Sequence, residues 1–429
     1  METQLNQAAP DIMHIDLNAC FAMTEQQANP LLRGRPVGVT NRAGSDWSTI
    51  IAPSYEAKRL GVRCGTRVGD AKRMAPGIVI IETDPPKYRY VHGVMKAIFQ
   101  EYAPRVTMKS IDEGVLDFRG TTDIRGSRTL EDIGYEIKDR VKEELGEWMT
   151  VNVGISTNWF LAKLAASLNK PDGLNTINHA NIEGIYLCSK LTDLNGINVK
   201  FRNRLLTWGI TNPYEFLQAS ERTLTKQVFR SINGRHWYLR LRGYEVDDLE
   251  FGMRHVGKQY VLHHRTAEPE ELAQVLYKLC YWISRRLHKY NRVARGLELT
   301  IRYAYPNHQG HQDQDVPPGP TKWHLTHCSP ATFSHVSEVY ERALWLFQQS
   351  PPGLTVTQFN LTTYQLQNRR DEQLPLLQTD IQRDQRIERA LQAVNDRYGE
   401  LTLTPARLLG AEDYVPDKIA FGSVRYLLK

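Results

Sequence analysis

Ser110-Ile111-Asp112-Glu113 places two adjacent acids between two strand-like runs, and this arrangement constrains the fold of the 429-residue chain more than any other feature of it. The flanking runs, Arg105-Val106-Thr107-Met108-Lys109 and Val115-Leu116-Asp117-Phe118, read as the arms of a hairpin with the acids near its turn. Ile12-Met13-His14-Ile15-Asp16 is a further short apolar run, and as a strand beside that hairpin it brings a third carboxylate to the same strand ends. Three converging carboxylates suit a hard divalent cation that takes oxygen ligands and also holds phosphates, which is the magnesium pattern. The chemistry expected of such a site is phosphoryl or nucleotidyl transfer assisted by two metal ions. An Asp-Glu pair alone is more often a solvated turn, so the inference depends on what accompanies it.

Around Asp16 the chain reads His14-Ile15-Asp16-Leu17-Asn18-Ala19-Cys20-Phe21-Ala22, then Asn29-Pro30-Leu31-Leu32-Arg33-Gly34-Arg35-Pro36-Val37. Ser54-Tyr55-Glu56-Ala57-Lys58-Arg59-Leu60-Gly61-Val62 follows, then the acid hairpin, then Val153-Gly154-Ile155-Ser156-Thr157-Asn158 leading to Asn169-Lys170-Pro171-Asp172-Gly173. In this order and spacing the runs resemble the Y-family DNA polymerases, the translesion enzymes, in their bacterial polymerase IV and UmuC-like forms. The resemblance covers residues 11 to about 245 with good specificity and extends more loosely to the C-terminus.

That resemblance implies a set of roles. Asp16, Asp112 and Glu113 match the catalytic, metal-binding acids, with the carbonyl of Leu17 as an extra ligand for two magnesium ions, replaceable in vitro by manganese. Phe21 matches the steric gate, whose ring lies under the sugar of an incoming nucleotide and leaves no room for a 2′-hydroxyl. A phenylalanine of unknown placement is most simply a core residue, but a position five residues after Asp16 favours the gate. Tyr55 and Lys170 occupy phosphate-contacting positions, and backbone amides near Cys20 and Phe21 add donors for the triphosphate. Two positions depart from the family: Lys58 stands where many relatives have Arg, and Ala52 where they have Thr. Lysine keeps the charge but loses the two-pronged fork that grips phosphate oxygens. Arg59, one step along a helix, is expected to point elsewhere.

The resemblance implies an α+β, multidomain right-hand polymerase. Residues 1–21 and 86–173 form the palm, 22–85 small fingers, 174–245 a helical thumb, 246–252 a linker, 253–365 a little finger and 366–429 a tail. Within the fingers, short helical patterns run from Tyr55 to Leu60 and around Asp70 to Met74. Helices are expected over Lys87 to Tyr102, with Tyr90, Val94, Met95 and Ile98 at helical spacing, and near Leu130 to Leu145, with Ile133, Ile137, Val141 and Leu145 on one face. A strand is expected at Thr150–Ile155.

In the thumb, the run Leu191 to Lys200 before a helix at Phe201–Trp208 resembles a helix-hairpin-helix, with Gly196, Asn198 and Lys200 placed to hold a DNA phosphate. Asn198 replaces a usual second glycine, and Asn tolerates the left-handed backbone. An ordinary turn between packed helices is the alternative. The little finger reads strand, helix, strand, strand, helix, strand. Its first strand is Lys258–His263, its first helix carries Leu272, Leu276, Leu279, Ile283 and Leu287 on one side, a short strand lies near Lys322–Leu325, and its second helix runs from Ala331 to Gln349. Arg254, Lys258, Arg265, Arg285 and Arg286 are its candidate phosphate contacts, as a cluster rather than singly. His308, His311, His324, His327 and Cys328 lack a recognised zinc spacing. In the tail, Gln373-Leu374-Pro375-Leu376-Leu377 is similar to the linear motif by which bacterial polymerases dock on the sliding clamp, with Leu377 where an aromatic is common. Gln373, Leu374, Leu376 and Leu377 are its expected anchors.

Composition agrees without being able to suggest this. A net charge of +6 is a mild basic excess compatible with a polyanion partner. The five scattered cysteines suit a reducing cytoplasm. No apolar run approaches a membrane span or a signal segment, so no membrane association is expected. The expected partners are primer-template DNA, deoxynucleoside triphosphates and a sliding clamp, for a monomer acting at the bacterial nucleoid in DNA repair and the SOS response. An alternative of another class is a catalytically inactive, polymerase-like scaffold that binds DNA and recruits replication factors.

Overall fold

A computed structural model describes residues 4–121, 126–248, 252–304 and 321–369, with stretches between 386 and 415. The chain forms two compact units, the first up to Glu250 and the second Phe251–Asp417. The first contains strands β1 (Ile12–Leu17), β2 (Val37–Thr40), β3 (Ile50–Pro53), β4 (Val79–Glu82), β5 (Arg105–Met108), β6 (Glu113–Asp117), β7 (Val151–Ser156) and β8 (Leu174–Thr176). Among them run α1 (Cys20–Ala28), α2 (Tyr55–Arg59), α3 (Val68–Met74), α4 (Pro85–Tyr102), α5 (Leu130–Leu145) and α6 (Trp159–Ser167).

The main sheet has the order β5-β6-β1-β7-β8, so the expected hairpin forms and β1 lies beside it, antiparallel to both β6 and β7. The pleat of β1 sorts its side chains. Met13, Ile15 and Leu17 enter a core with Tyr88, Met95 and Ile98 of α4 and Ile133, Ile137 and Val141 of α5, while Ile12 joins Val115 and Ala162 beneath α6. Helix α5 carries the predicted face and starts in a capping box between Thr129 and Asp132. Helix α4 departs from the expected face: Tyr88, Val91, Met95, Ile98 and Phe99 are buried, and Tyr90 is exposed. Adjacent residues lie roughly 100° apart on a helix, so a stripe centred on Val91 and Met95 turns Tyr90 outward.

Helix α6 sits unusually close to β7. A Cβ built on Gly154 would lie 2.1 Å from the carbonyl oxygen of Ala162 and 2.2 Å from the amide nitrogen of Ala166. Only a glycine permits this approach, and it brings Lys163 over the end of β1.

Both helices predicted within residues 22–85 form, as α2 and α3, but the segment also holds a three-stranded sheet, β3-β2-β4, that its sequence did not suggest. Strands of four residues are too short for alternation to register. Beyond β8 the chain is helical, with α7 (Ile182–Cys188), α8 (Val199–Thr207), α9 (Pro213–Gln218) and α10 (Asn233–Leu241) around Phe216, Phe229 and Trp237. Asn198 is extended, at φ −85°, and not left-handed: its side chain accepts the Phe201 amide and caps α8, while Gly196 takes the positive φ of +98°.

The second unit has the predicted element order: β9 (His255–Thr266), α11 (Pro269–Lys289), β10 (Arg292–Tyr303), β11 (Lys322–Phe333), α12 (Val336–Gln348) and β12 (Val356–Tyr364). Its sheet runs β11-β10-β12-β9, and Leu272, Leu276, Leu279, Ile283 and Leu287 are buried. Strand β11 is longer than expected and takes Ala331–Phe333 from the predicted helix, because Phe333 pairs with Ala294 and α12 begins only at the His335/Glu338 capping box. No helix among the described residues is long and apolar enough to cross a membrane. Gln373, Leu374, Leu376 and Leu377, like His308 and His311, lie outside the described residues.

Candidate active site

Asp16 is the penultimate residue of β1, and the antiparallel register sets it opposite Glu113, the first residue of β6. Asp112 lies in the turn just before β6. Its carbonyl accepts the Leu17 amide at 2.8 Å and Ser110 Oγ donates to its carboxylate, which ties the turn to the end of β1. His92 of α4 makes a 3.0 Å hydrogen bond to the Ile111 carbonyl and anchors the same turn.

The three acids do not converge equally. Asp16 and Asp112 line a cleft of about 420 Å³, whereas Glu113 faces a neighbouring cleft with His14, Lys109, Trp159 and Trp237. The pairing with Asp16 puts Glu113 on the α6 side of the sheet, where His14 and Lys163 draw its carboxylate away, while Asp112 remains in the turn and Asp16 stands between the two clefts. Glu113 Oε2 accepts from Lys163 Nζ at 2.6 Å and lies 3.2 Å from His14 Nε2. Asp16 is paired with the Lys170 ammonium. Among the described residues no three acidic, histidine or cysteine side chains stand together as a preformed metal shell.

The electrostatics nevertheless fit a cation. Burial raises the Asp112 carboxyl above its usual range, and the charges of Asp16 and Glu113 push it further up against the Ser110 hydrogen bond. Burial acts the same way on Glu113, but His14 and Lys163 outweigh it and hold that carboxyl at about 2. Two of the three acids already draw an ammonium group and the third is short of positive charge, so the set suits divalent cations with oxygen ligands.

Every residue expected at the triphosphate lines this cleft, namely Cys20, Phe21, Tyr55, Lys58 and Lys170, together with Asp16, Leu17 and Asp112. Cys20 and Phe21 open α1, and their amides belong to the first turn, which has no intrahelical acceptor and favours anions. Ala19, ahead of them, is left-handed at φ 42°. The Phe21 ring stacks on Tyr88, whose hydroxyl donates to Glu25 at 2.8 Å. Lys58 lies 4.3 Å over the Tyr55 ring; burial and the Lys170 charge lower its pKa, while burial and Asp16 push the Tyr55 phenol up to about 12.

Sequence reasoning missed four side chains. Arg63 lines the cleft and donates to the Lys58 carbonyl, while Arg59 is exposed and does not line it. No local pattern marked Arg63, because the chain returns to the cleft through Gly61 at φ +92°. Tyr88 and Lys163 come from distant segments. His14 was legible: two residues before Asp16 on a strand, it shares that residue's face.

Gly196 and Asn198 line a third cleft, of about 450 Å³, together with Asp16, Lys163 and Lys170, so the turn before α8 lies next to Asp16. Lys200 is exposed on α8 and does not line it. In the second unit Arg254 and Arg265 are exposed, and Lys258 and Arg285 lie 4.7 and 5.8 Å from the Trp282 ring. Arg286 is a correction to the expected phosphate contacts. It is buried and donates to the Gly257 carbonyl, so it pins β9 to α11.

Residues 15–167 match the model of the impB/mucB/samB family, and residues 254–376 match that family's C-terminal domain. Over 297 residues the chain is 31% identical to "DNA polymerase IV 1" of Bacillus subtilis, covering 68% of this chain and 70% of that protein. Over 294 residues it is 30% identical to "DNA polymerase IV" of Alkalilimnicola ehrlichii, covering 68% and 81%. A solved Y-family DNA polymerase chimera of Dbh and Dpo4 superposes with a TM-score of 0.67 at 20% identity, covering 82% of this chain and 98% of the chimera.

Proposed function

The chain belongs to the impB/mucB/samB family and carries the Y-family polymerase fold, and from this we propose that it is a DNA-directed DNA polymerase acting in translesion synthesis, extending a primer 3′-hydroxyl from deoxynucleoside triphosphates. The observation that carries the reading is one cleft in which Asp16 and Asp112 meet Phe21, Tyr55, Lys58 and Lys170. Two magnesium ions, held by Asp16, Asp112, the Leu17 carbonyl and Glu113, would acidify the primer hydroxyl and neutralise charge on the triphosphate.

The chain's own residues do the rest. Lys170, Lys58, Arg63 and Tyr55, with the first amides of α1, bind and orient the triphosphate. Phe21 blocks a ribose 2′-hydroxyl. Lys163 and His14 keep Glu113 ionised throughout the physiological range. Gly196 and Asn198 hold a DNA phosphate next to Asp16 and Lys163, and Arg254, Lys258, Arg265 and Arg285 add sequence-independent contacts. The reading carries with it a sliding clamp as partner through Gln373, Leu374, Leu376 and Leu377, and a monomer working at the cytoplasmic nucleoid.

The test is primer extension with magnesium on intact and lesion-bearing templates, set beside Asp112→Ala/Glu113→Ala protein. Extension that the double variant loses supports the reading. An intact protein that binds primer-template but never extends it favours the scaffold alternative.

A further inference from the structure

Trp47 has 78% of its surface in solvent, against 45% for Trp208 and 47% for Trp345. Such exposure is unremarkable on a loose chain, but this loop is fixed on both sides of the indole. The Asp46 carbonyl accepts the Gly69 amide at 3.0 Å and the Ser48 carbonyl accepts the Val68 amide at 2.8 Å. The Asp46 carboxylate takes Lys72 Nζ at 2.7 Å, the Ser48 hydroxyl lies 2.7 Å from that of Thr40, and Thr49 bridges to Arg67. The loop is therefore bound to the start of α3 and to β2, and it holds a large apolar ring in water. The Arg67 guanidinium lies 5.1 Å from the ring centroid.

The loop leads directly into β3, where Ile51, Ala52 and Pro53 line the nucleotide cleft. Four residue steps take the chain from Trp47 to Ile51, a reach of at most about 14 Å, comparable to about four stacked nucleotides. A rigid aromatic face beside a guanidinium is the combination that takes an unpaired base on the ring and its phosphate on the cation.

We infer that Trp47 and Arg67 form a stacking platform for the single-stranded template a few nucleotides ahead of the templating base. The inference rests on the polymerase reading, because the template is the strand that remains unpaired beyond the cleft. A base on this platform fixes the path of the incoming template independently of its sequence, since every base has a flat face.

The test is equilibrium binding of the full chain to primer-templates whose template overhang is either one nucleotide or about six, a length within the usual range of single-strand sites. Wild type should bind the long overhang more tightly. Trp47→Ala should lose about tenfold of that advantage, the value of one stacked base, while binding the short overhang as wild type does. Trp47→Phe, which keeps a ring, should retain most of the advantage. Equal weakening on both overhangs would assign Trp47 a structural role and overturn the proposal, as would a Trp47→Ala protein that behaves as wild type on both. A wild type that extends primers yet binds both overhangs alike overturns this proposal alone; a wild type that extends no primer overturns the polymerase reading and this one with it.

Discussion

The ring of Phe21 lies 4.2 Å from that of Tyr88 and within 14° of parallel. Tyr88 is itself held by its hydrogen bond to Glu25, which also takes Lys87 Nζ at 2.6 Å, so the gate rests on a fixed support. Phe21→Ala should let the enzyme accept ribonucleotides far more readily. Tyr88→Leu, which removes a stacked pair worth about 1 kcal/mol, should weaken discrimination by roughly five- to tenfold. Tyr88→Phe keeps the ring and should change it little. Competing ribo- and deoxynucleotide incorporation on one template measures all three.

Arg63 offers the guanidinium fork that Lys58 lacks. Arg63→Ala should raise KM for deoxynucleotides by about tenfold or more, as expected for a lost hydrogen bond to a charged group. Lys58→Arg in that background should recover part of the loss. Steady-state single-nucleotide insertion gives both values.

Asp112 and Glu113 should respond to pH in opposite directions when divalent cations are chelated. Asp112 has a folded pKa raised above 3.8, so the native state binds its proton more tightly and stability falls as pH rises through the shifted value. Asp112→Asn should therefore stabilise the protein at neutral pH while abolishing extension. Glu113 is held at about 2 against 4.5, so its contribution is full above pH 4.5 and is lost as pH falls toward 2. Lys163→Gln should remove part of that contribution at neutral pH. Urea unfolding across pH reads both slopes.

Gly154→Ala should destabilise by about 3 kcal/mol or more, because its Cβ would meet backbone atoms of α6 that cannot rotate away. Thermal unfolding measures the loss. Activity should fall with it, since α6 carries Lys163.

What could be read in the sequence was what repeats or lies close along the chain. The apolar stripes of α5 and α11 follow the helical period, and the acid turn sits between two short strand-like runs, so these elements and the Asp16–Glu113 neighbourhood were legible. The small sheet of β2, β3 and β4 was not, because four residues carry too little pattern. Arg286 looked like the other basic residues of its cluster, since charge alone does not disclose a buried backbone partner such as the Gly257 carbonyl. Glu113 was expected to converge with Asp16 and Asp112, and it does stand opposite Asp16, but spacing along a chain does not disclose the side chains that draw its carboxylate aside. The partners that settle it, His14 and Lys163, lie about a hundred residues earlier and fifty residues later.

The central place of β1 has a consequence for how the molecule is made. Asp16 leaves the ribosome about a hundred residues before Asp112 and Glu113, yet its strand is hydrogen-bonded to Glu113 on one side and to Asn152 on the other. A nascent chain must therefore carry the unpaired segment Ile12–Leu17 until β7 has emerged, and both partnerships close over long loops whose entropy is spent before any contact rewards it. Once closed, β1 can exchange its amide hydrogens only when strands on both sides part, so these amides should be among the slowest in the protein to take up deuterium. The acid that is synthesised earliest thus acquires its surroundings late and gives them up last.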